Sequence, residues 1–276
     1  MLGTLFYGTD PRLLGPAIGA VLVLAAEAGF RIGRRHAKAT GGSGRSPQVT
    51  TLEAAILGLL TLVLSFTYSG SYSRFDTRRQ VIIQEANAIE TAYLRAGMMP
   101  QQERERTRDL LRRYASIQVP SPEALERALA ETKRLQQKLW REAERFSRSG
   151  ADAGRKALLV SAINQTIDLH TSRLANFLFH APASLLLILN LGAALAVLFM
   201  GYASGLDNQR FWIGQGVMIV LLTVLLVVIL DLENSQKGAI QPSRQPLFEV
   251  QQSIGAPGFG RPPPEQGAGP GKRREQ

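Results

Sequence analysis

The sequence contains no cysteine and only three histidines among its 276 residues. The missing cysteines exclude disulfide bonds, thiolate metal sites, a thiol nucleophile and a lipid-modified cysteine anchor. His36, His170 and His180 are scattered and form no metal-binding pattern. The sequence also lacks an HExxH motif, a phosphate-binding glycine loop and a Gly-x-Ser-x-Gly elbow. We therefore predict that the protein is not an enzyme and has no catalytic residue, metal site or cofactor.

The formal net charge is +10 and is carried mostly by arginine. Such a balance suits nucleic acid, an anionic lipid surface or an anion pathway as the partner. No nucleic-acid-binding motif accompanies the charge, and the basic residues in the middle of the chain are interleaved with glutamate and aspartate. This pattern favours the lipid bilayer as a partner and predicts that nucleic acid is not one.

Four apolar blocks predict four transmembrane helices, over residues 13–32, 54–72, 182–203 and 211–230. Each block is about 20 residues long, which is enough to cross a hydrocarbon core of roughly 30 Å. The first block could also be a signal peptide, but its cationic residues follow the apolar run instead of preceding it. The connection over 204–210 is short, so the last two helices should form an antiparallel hairpin.

The region between the two pairs of blocks has helical periodicity and no strand alternation. Its apolar residues recur at intervals of three and four, and the first apolar stripe continues the second membrane helix, which Pro100 should end. Residues 121–123 should begin another helix. We predict an all-α, polytopic membrane protein with a helical extramembrane insert. The predicted parts are an N-terminal segment (1–12), a first transmembrane pair (13–72), the insert (73–181), a hairpin (182–232), a post-membrane segment (233–254) and a disordered basic tail (255–276).

Glu27 is an ionisable residue inside the first apolar block, where a charge is costly. It stands four residues before Arg31, in the favourable order for an ion pair within a helix. The structural interpretation is therefore an ion pair near the end of the span, and the alternative is a role in a pore or a proton relay.

Residues 66–90 form the most distinctive stretch, because they begin apolar, become rich in hydroxyl groups and then alternate basic and acidic residues. In an oligomer, such a helix could line a pore with a hydrophobic neck and a charged mouth. Its hydroxyls could equally bond to backbone carbonyls of the same helix. The residues alone leave open a pore-lining helix and a packing helix with a solvated extension.

At this stretch the sequence closely resembles a bacterial membrane family of unassigned function that is described as bestrophin-like. The likeness covers nearly everything from Leu52 to Ile254, and its strongest stretches are 64–66, 73–79, 85–95, 163–173, 201–206, 230–233, 238–240 and 245–247. The chain is identified as a member of this family, which distantly resembles bestrophin anion channels.

The resemblance to those channels implies a homo-oligomer, and specifically a homo-pentamer, in which five copies of the second helix surround one pore for small inorganic ions. It implies a pore neck at Leu59, Leu62 and Phe66, and a charged pore mouth at Arg74, Asp76, Arg78, Arg79 and Glu85. Lysine and arginine counts near the membrane ends do not decide the orientation. The resemblance places the insert, the N-terminus and the tail in the cytoplasm, which predicts a multi-pass protein of the cell inner membrane.

One departure from the channels concerns calcium. Animal bestrophins bind calcium through an acidic cluster after the last membrane helix, whereas only Asp231 and Glu233 stand there in this chain. Calcium gating is therefore not implied. Two hypotheses remain: an ion channel, for anions, with its pore lined by the second helix, and a non-conducting membrane scaffold or sensor whose insert binds a partner.

Overall fold

The computed structural model describes residues 11–41, 44–117, 125–178, 181–234, 238–256 and 259. In this part of the chain there are eight α-helices and no strand, which confirms the predicted all-α fold. The helices are α1 (Pro11–Thr40), α2 (Pro47–Arg95), α3 (Gln101–Ser116), α4 (Leu125–Ser147), α5 (Ala153–Leu178), α6 (Ala183–Leu206), α7 (Trp212–Glu233) and α8 (Gln245–Gly255).

Four of these helices are long and apolar enough to cross a membrane: α1, α2, α6 and α7. They contain the four predicted apolar blocks except Pro182 and Phe211, which each precede the first residue of a helix. The first two helices extend well beyond those blocks. α1 continues through its cationic end to Thr40, and α2 continues through the charged residues after Tyr72. α2 ends at Arg95 in a short 3-10 turn, and Pro100 precedes the first residue of α3. The charged extensions remain helical because no proline interrupts them.

The chain divides into two compact units. The four-span unit comprises residues 1–79 and 174–243, and the insert unit comprises residues 80–173 and 244–276. Several predicted features lie outside the described residues: the N-terminal residues 1–10, the predicted helix start at 121–123, His180 and the tail residues 260–276.

The four-span unit has a core of leucine, alanine and valine. α1 and α6 approach each other most closely, through Gly29 and Gly33 on one helix and Gly201 and Gly205 on the other. A Cβ atom at any of these four positions would collide with backbone atoms of the facing helix. Pairs of glycines four residues apart permit this close helix packing in membranes. The stretch 201–205 is therefore a packing face of α6 against α1.

The insert unit has a larger proportion of aromatic residues in its core, including Tyr93, Tyr114 and Phe146. These side chains are almost completely buried together with Leu139 of α4 and Ile163 of α5. Each helix places apolar residues at intervals of three and four, so that one face is buried and the other is solvated. The α8 helix adds Val250 and Ile254 to the same core.

Candidate functional site

The exposed face of α2 carries the three residues predicted as a pore neck. Helical spacing places Leu60 and Leu64 in the core, where both are buried. Leu59, Leu62 and Phe66 recur at intervals of three and four residues and therefore share a stripe on the outer face. Phe66 is 71% exposed, the highest value for a large apolar side chain in α2. A stripe of this kind requires lipid or another protein surface to cover it.

The stripe continues along α2 into hydroxyl-bearing residues. Ser69 and Ser73 follow Phe66 at the next two helical intervals, and both are exposed. Other hydroxyls of the span bond to the backbone of the same helix. Thr61 Oγ1 donates to the Leu57 carbonyl at 2.8 Å, and Ser65 Oγ donates to the Thr61 carbonyl at 2.8 Å. These two groups are thus satisfied inside the helix.

Arg74, the first residue of the predicted charged mouth, forms an ion pair with Glu233 at the end of α7. Its Nε donates to Glu233 Oε1 at 2.8 Å, and its Nη2 donates to the same oxygen and to Ser71 Oγ. The Arg74 side chain is 37% exposed, whereas the Glu233 side chain is completely buried. Glu233 Oε2 accepts a hydrogen bond from the Ala181 backbone amide at 3.0 Å.

Arg78, one helical turn further along α2, is buried within the four-span unit. Its Nε donates to the Asn176 carbonyl at 3.1 Å, and its Nη1 donates to the Leu232 carbonyl at 3.0 Å. The Leu232 carbonyl belongs to the last turn of α7, where helix carbonyls lack partners within the helix. Arg74 and Arg78 therefore both bind the C-terminal end of α7. Asp76 is partly buried, and Arg79 is exposed.

Asp231 completes the polar contacts at this end of α7. Its two carboxylate oxygens accept hydrogen bonds from the backbone amides of Ala239 and Ile240, each at 2.7 Å. Both acidic residues in the last turn of α7, Asp231 and Glu233, are therefore bonded to protein groups. Among the described residues, no group of three or more histidine, aspartate or glutamate side chains is arranged to hold a metal ion.

Glu85, the last residue of the predicted mouth, is buried in the insert unit. Its Oε1 lies 2.8 Å from His170 Nδ1, and its Oε2 lies 2.5 Å from Arg173 Nε. All three side chains are at most 5% exposed. The structure thus places Glu85 in an internal ion cluster.

Tyr114 lies against this ion cluster and was not predicted from the sequence. Its ring centroid is 5.4 Å from that of His170, and its hydroxyl accepts a hydrogen bond from Gln136 Nε2 at 3.1 Å. Burial raises the pKa of the Tyr114 phenol above its ordinary value. Tyr114 is therefore a neutral hydrogen-bonding group inside the insert unit. No local motif could have revealed these contacts, because the two partners come from two other helices, α4 and α5.

Glu27 forms the ion pair that its position predicts. Its Oε1 lies 2.7 Å from Arg31 Nε, and its Oε2 lies 3.0 Å from Arg210 Nη1. The Arg210 guanidinium also lies over the rings of Phe30 and Trp212. The contact with Arg31 confirms the structural interpretation, and Arg210 is a second partner that sequence spacing could not show.

The eight helices of the described residues, four of which can span a membrane, define a polytopic helical membrane protein. A family model described as "Bestrophin-like domain" matches residues 19–247. The chain therefore belongs to the bestrophin-like family, as the resemblance in its sequence indicates. A comparison with curated proteins finds no match.

Solved structures of bacterial bestrophin homologues share the fold. A point variant of a homologue from Klebsiella pneumoniae has a TM-score of 0.67 at 15% identity, and the match covers 86% of this chain and 97% of that one. A homologue from the same organism, phased with zinc, has a TM-score of 0.62 at 17% identity, with coverage of 85% and 94%. At these identities the likeness establishes the architecture.

Proposed function

We propose that the protein is an ion channel for anions, formed by several copies of the chain around a pore lined by α2. The observation that carries this proposal is the exposed apolar stripe Leu59–Leu62–Phe66, which leads directly into the exposed hydroxyls of Ser69 and Ser73. Membership of the bestrophin-like family and the fold shared with bacterial bestrophin homologues support it.

The stripe lies on the outside of one chain, so one copy cannot enclose a pore. In this proposal the oligomer is a pentamer whose α2 helices face one axis. The three apolar side chains of each copy then form a narrow neck. A hydrophobic constriction of this kind excludes water and ions until it widens, which is gating by dewetting. The hydroxyls beyond the neck then offer polar contacts to a rehydrating ion.

The proposed mouth has more basic than acidic side chains. Arg74 is partly exposed and Arg79 is exposed, whereas Asp76 is the acidic residue between them. Clustered positive charge raises the local concentration of anions. Arg78 and Glu85 belong to the predicted mouth as well, and their buried contacts give them a supporting role in this proposal. In this proposal the insert lies in the cytoplasm and the spans cross the cell inner membrane.

The test is to reconstitute the purified protein into planar bilayers and compare Phe66→Ala with the wild type. Removing the aromatic ring widens the neck, and we expect the conductance or the open fraction to rise by roughly threefold or more. Phe211→Ala is the matched control, because Phe211 is 70% exposed but does not lie on α2. Absence of current from both the wild type and Phe66→Ala would sink the channel proposal.

The second candidate function is a non-conducting scaffold or sensor, and one feature of the insert unit favours it. A groove of about 410 Å³ is lined by Trp140 together with Lys133, Gln136, Gln137, Arg141, Glu144 and Ile167. An exposed tryptophan among charged and amide side chains is typical of protein-binding surfaces. A folded oligomer that carries no current in bilayers would favour this function over the channel.

A further inference from the structure

The contact between Arg74 and Glu233 joins the proposed pore-lining helix to the last span. The two residues are 159 positions apart in the sequence, and the guanidinium donates twice to one carboxylate oxygen. The other oxygen is held by the Ala181 amide. Glu233 is therefore fixed on both sides, whereas part of the Arg74 side chain reaches the surface of α2.

Among the described residues, four charged side chains lie in or bond to the last turn of α7. Arg74 and Arg78 supply two positive charges, and Asp231 and Glu233 supply two negative charges. Asp231 is already bonded to two backbone amides, and Arg78 to two backbone carbonyls. Glu233 is thus the carboxylate that directly opposes the one arginine of the group that is partly exposed. Removing the negative charge of Glu233 therefore increases the positive electrostatic potential around Arg74.

We propose that Glu233 is a positioning residue that sets the ion selectivity of the pore, by partly neutralising Arg74 and by holding it against α7. The inference rests on the proposed channel function. It identifies the Glu233 carboxylate as the group that limits the preference of the pore for anions. With Glu233 ionised, Arg74 contributes only part of a positive charge to the mouth. Without that carboxylate, the full charge of Arg74 acts on passing ions.

A unit charge acts over short distances here, because water and salt screen it. At about 10 Å in a largely aqueous mouth, one uncompensated charge changes the local anion concentration by about twofold. Several copies around one axis add their contributions. The pair therefore gives a measurable effect on selectivity without contacting the ion in the neck.

The test measures reversal potentials under a salt gradient, with the purified oligomer in planar bilayers. In E233Q, we expect the permeability ratio of chloride to sodium to rise by about twofold or more. In R74Q, which keeps Glu233 and its bond from Ala181, the ratio should fall. The double variant R74Q/E233Q removes both charges and should return the ratio towards that of the wild type. A merely structural role would not give opposite shifts that cancel.

E27Q is the matched control, since it removes a carboxylate that pairs with Arg31 on α1 and with Arg210 before α7. Its selectivity should equal that of the wild type. If E233Q does not assemble, R74Q tests the same electrostatic argument with the opposite sign. Current with an unchanged ratio in both single variants would overturn this inference and leave the channel intact. Absence of current from the wild type would overturn the channel proposal itself.

Discussion

The two units of the chain bury their charged side chains in different ways. In the four-span unit, Glu233 pairs with Arg74, but Arg78 bonds to carbonyls in the last turns of α5 and α7, and Asp231 bonds to backbone amides of the segment after α7. In the insert unit, Glu85, His170 and Arg173 bond to one another, and side chains from α2 and α5 meet inside the core. The contacts of Arg78 satisfy helix-end carbonyls that would otherwise lack partners. The arrangement in the insert unit concentrates ionisable groups in one place.

The two units also differ in how their helices pack. Glycines bring α1 and α6 into backbone contact in the four-span unit, as van der Waals packing between helices in lipid favours. Large side chains such as Tyr93 and Phe146 fill the insert unit, where removing apolar surface from water drives folding. Removing a large buried side chain should therefore destabilise the insert unit. Adding a side chain at a glycine contact should destabilise the four-span unit.

The largest expected effect is in the insert unit. Glu85→Ala removes the carboxylate between His170 and Arg173 and leaves the Arg173 guanidinium buried without its partner. We expect the free energy of unfolding to fall by about 3–5 kcal/mol, because breaking a buried ion pair leaves an uncompensated charge. Denaturant unfolding of the purified protein in detergent measures this change.

Asp109→Ala is the control for that prediction. Asp109 pairs with Arg113 at 3.0 Å on α3, and both side chains are more than half exposed. Its loss should cost less than about 1 kcal/mol. Equal effects of the two substitutions would contradict the difference between buried and exposed pairs.

The helical fold was predictable because each helix carries its own periodic pattern. The four apolar blocks identified the spans, and the apolar stripe after Tyr72 correctly predicted that α2 continues towards Pro100. The structure also extends α1 into charged turns that hydropathy alone does not recognise as helix. α8 was missed, although Pro246 at its first turn and the spacing of Leu247, Val250 and Ile254 are typical helix signals. The preceding segment contains several polar residues and masks that pattern.

The candidate site was predictable only where its residues are close in sequence. Leu59, Leu62 and Phe66 form a stripe through helical spacing alone, and the structure exposes all three. The partners of Arg74 and Arg78 come from residues roughly 100–160 positions away, so no local pattern could reveal them. Long-range packing decides which charged residues of α2 are buried.

A smaller effect is expected from adding a side chain to the four-span unit. Gly201→Leu places a side chain where even a Cβ atom would collide with the α1 backbone at Ala26. Separating the helices should reduce the free energy of unfolding by about 1–3 kcal/mol. Gly216→Leu is the control, since no atom lies within 4 Å of a Cβ at that position. Thermal unfolding in detergent should shift for the first variant and hardly change for the second.

The smallest expected effect concerns Tyr114. It distinguishes the contribution of the hydrogen bond from Gln136 from that of the ionisation of the Tyr114 phenol. Tyr114→Phe removes the bond from Gln136 and should cost about 1 kcal/mol at neutral pH. Because burial raises the pKa of Tyr114 in the folded state, the unfolded chain ionises first as the pH rises above about 10. Wild-type stability should then fall by up to about 1.4 kcal/mol per pH unit from this residue alone.

The phenylalanine variant has no phenol at this position and lacks that contribution. The difference in unfolding free energy between the wild type and the variant should therefore be constant below about pH 10 and shrink above it. Denaturant titrations across this range measure the difference directly. A difference that stays constant into strong alkali would mean that the Tyr114 phenol is not buried in the folded insert unit. The ion cluster of Glu85, His170 and Arg173 would then be more open to solvent than the charged side chains at the end of α7.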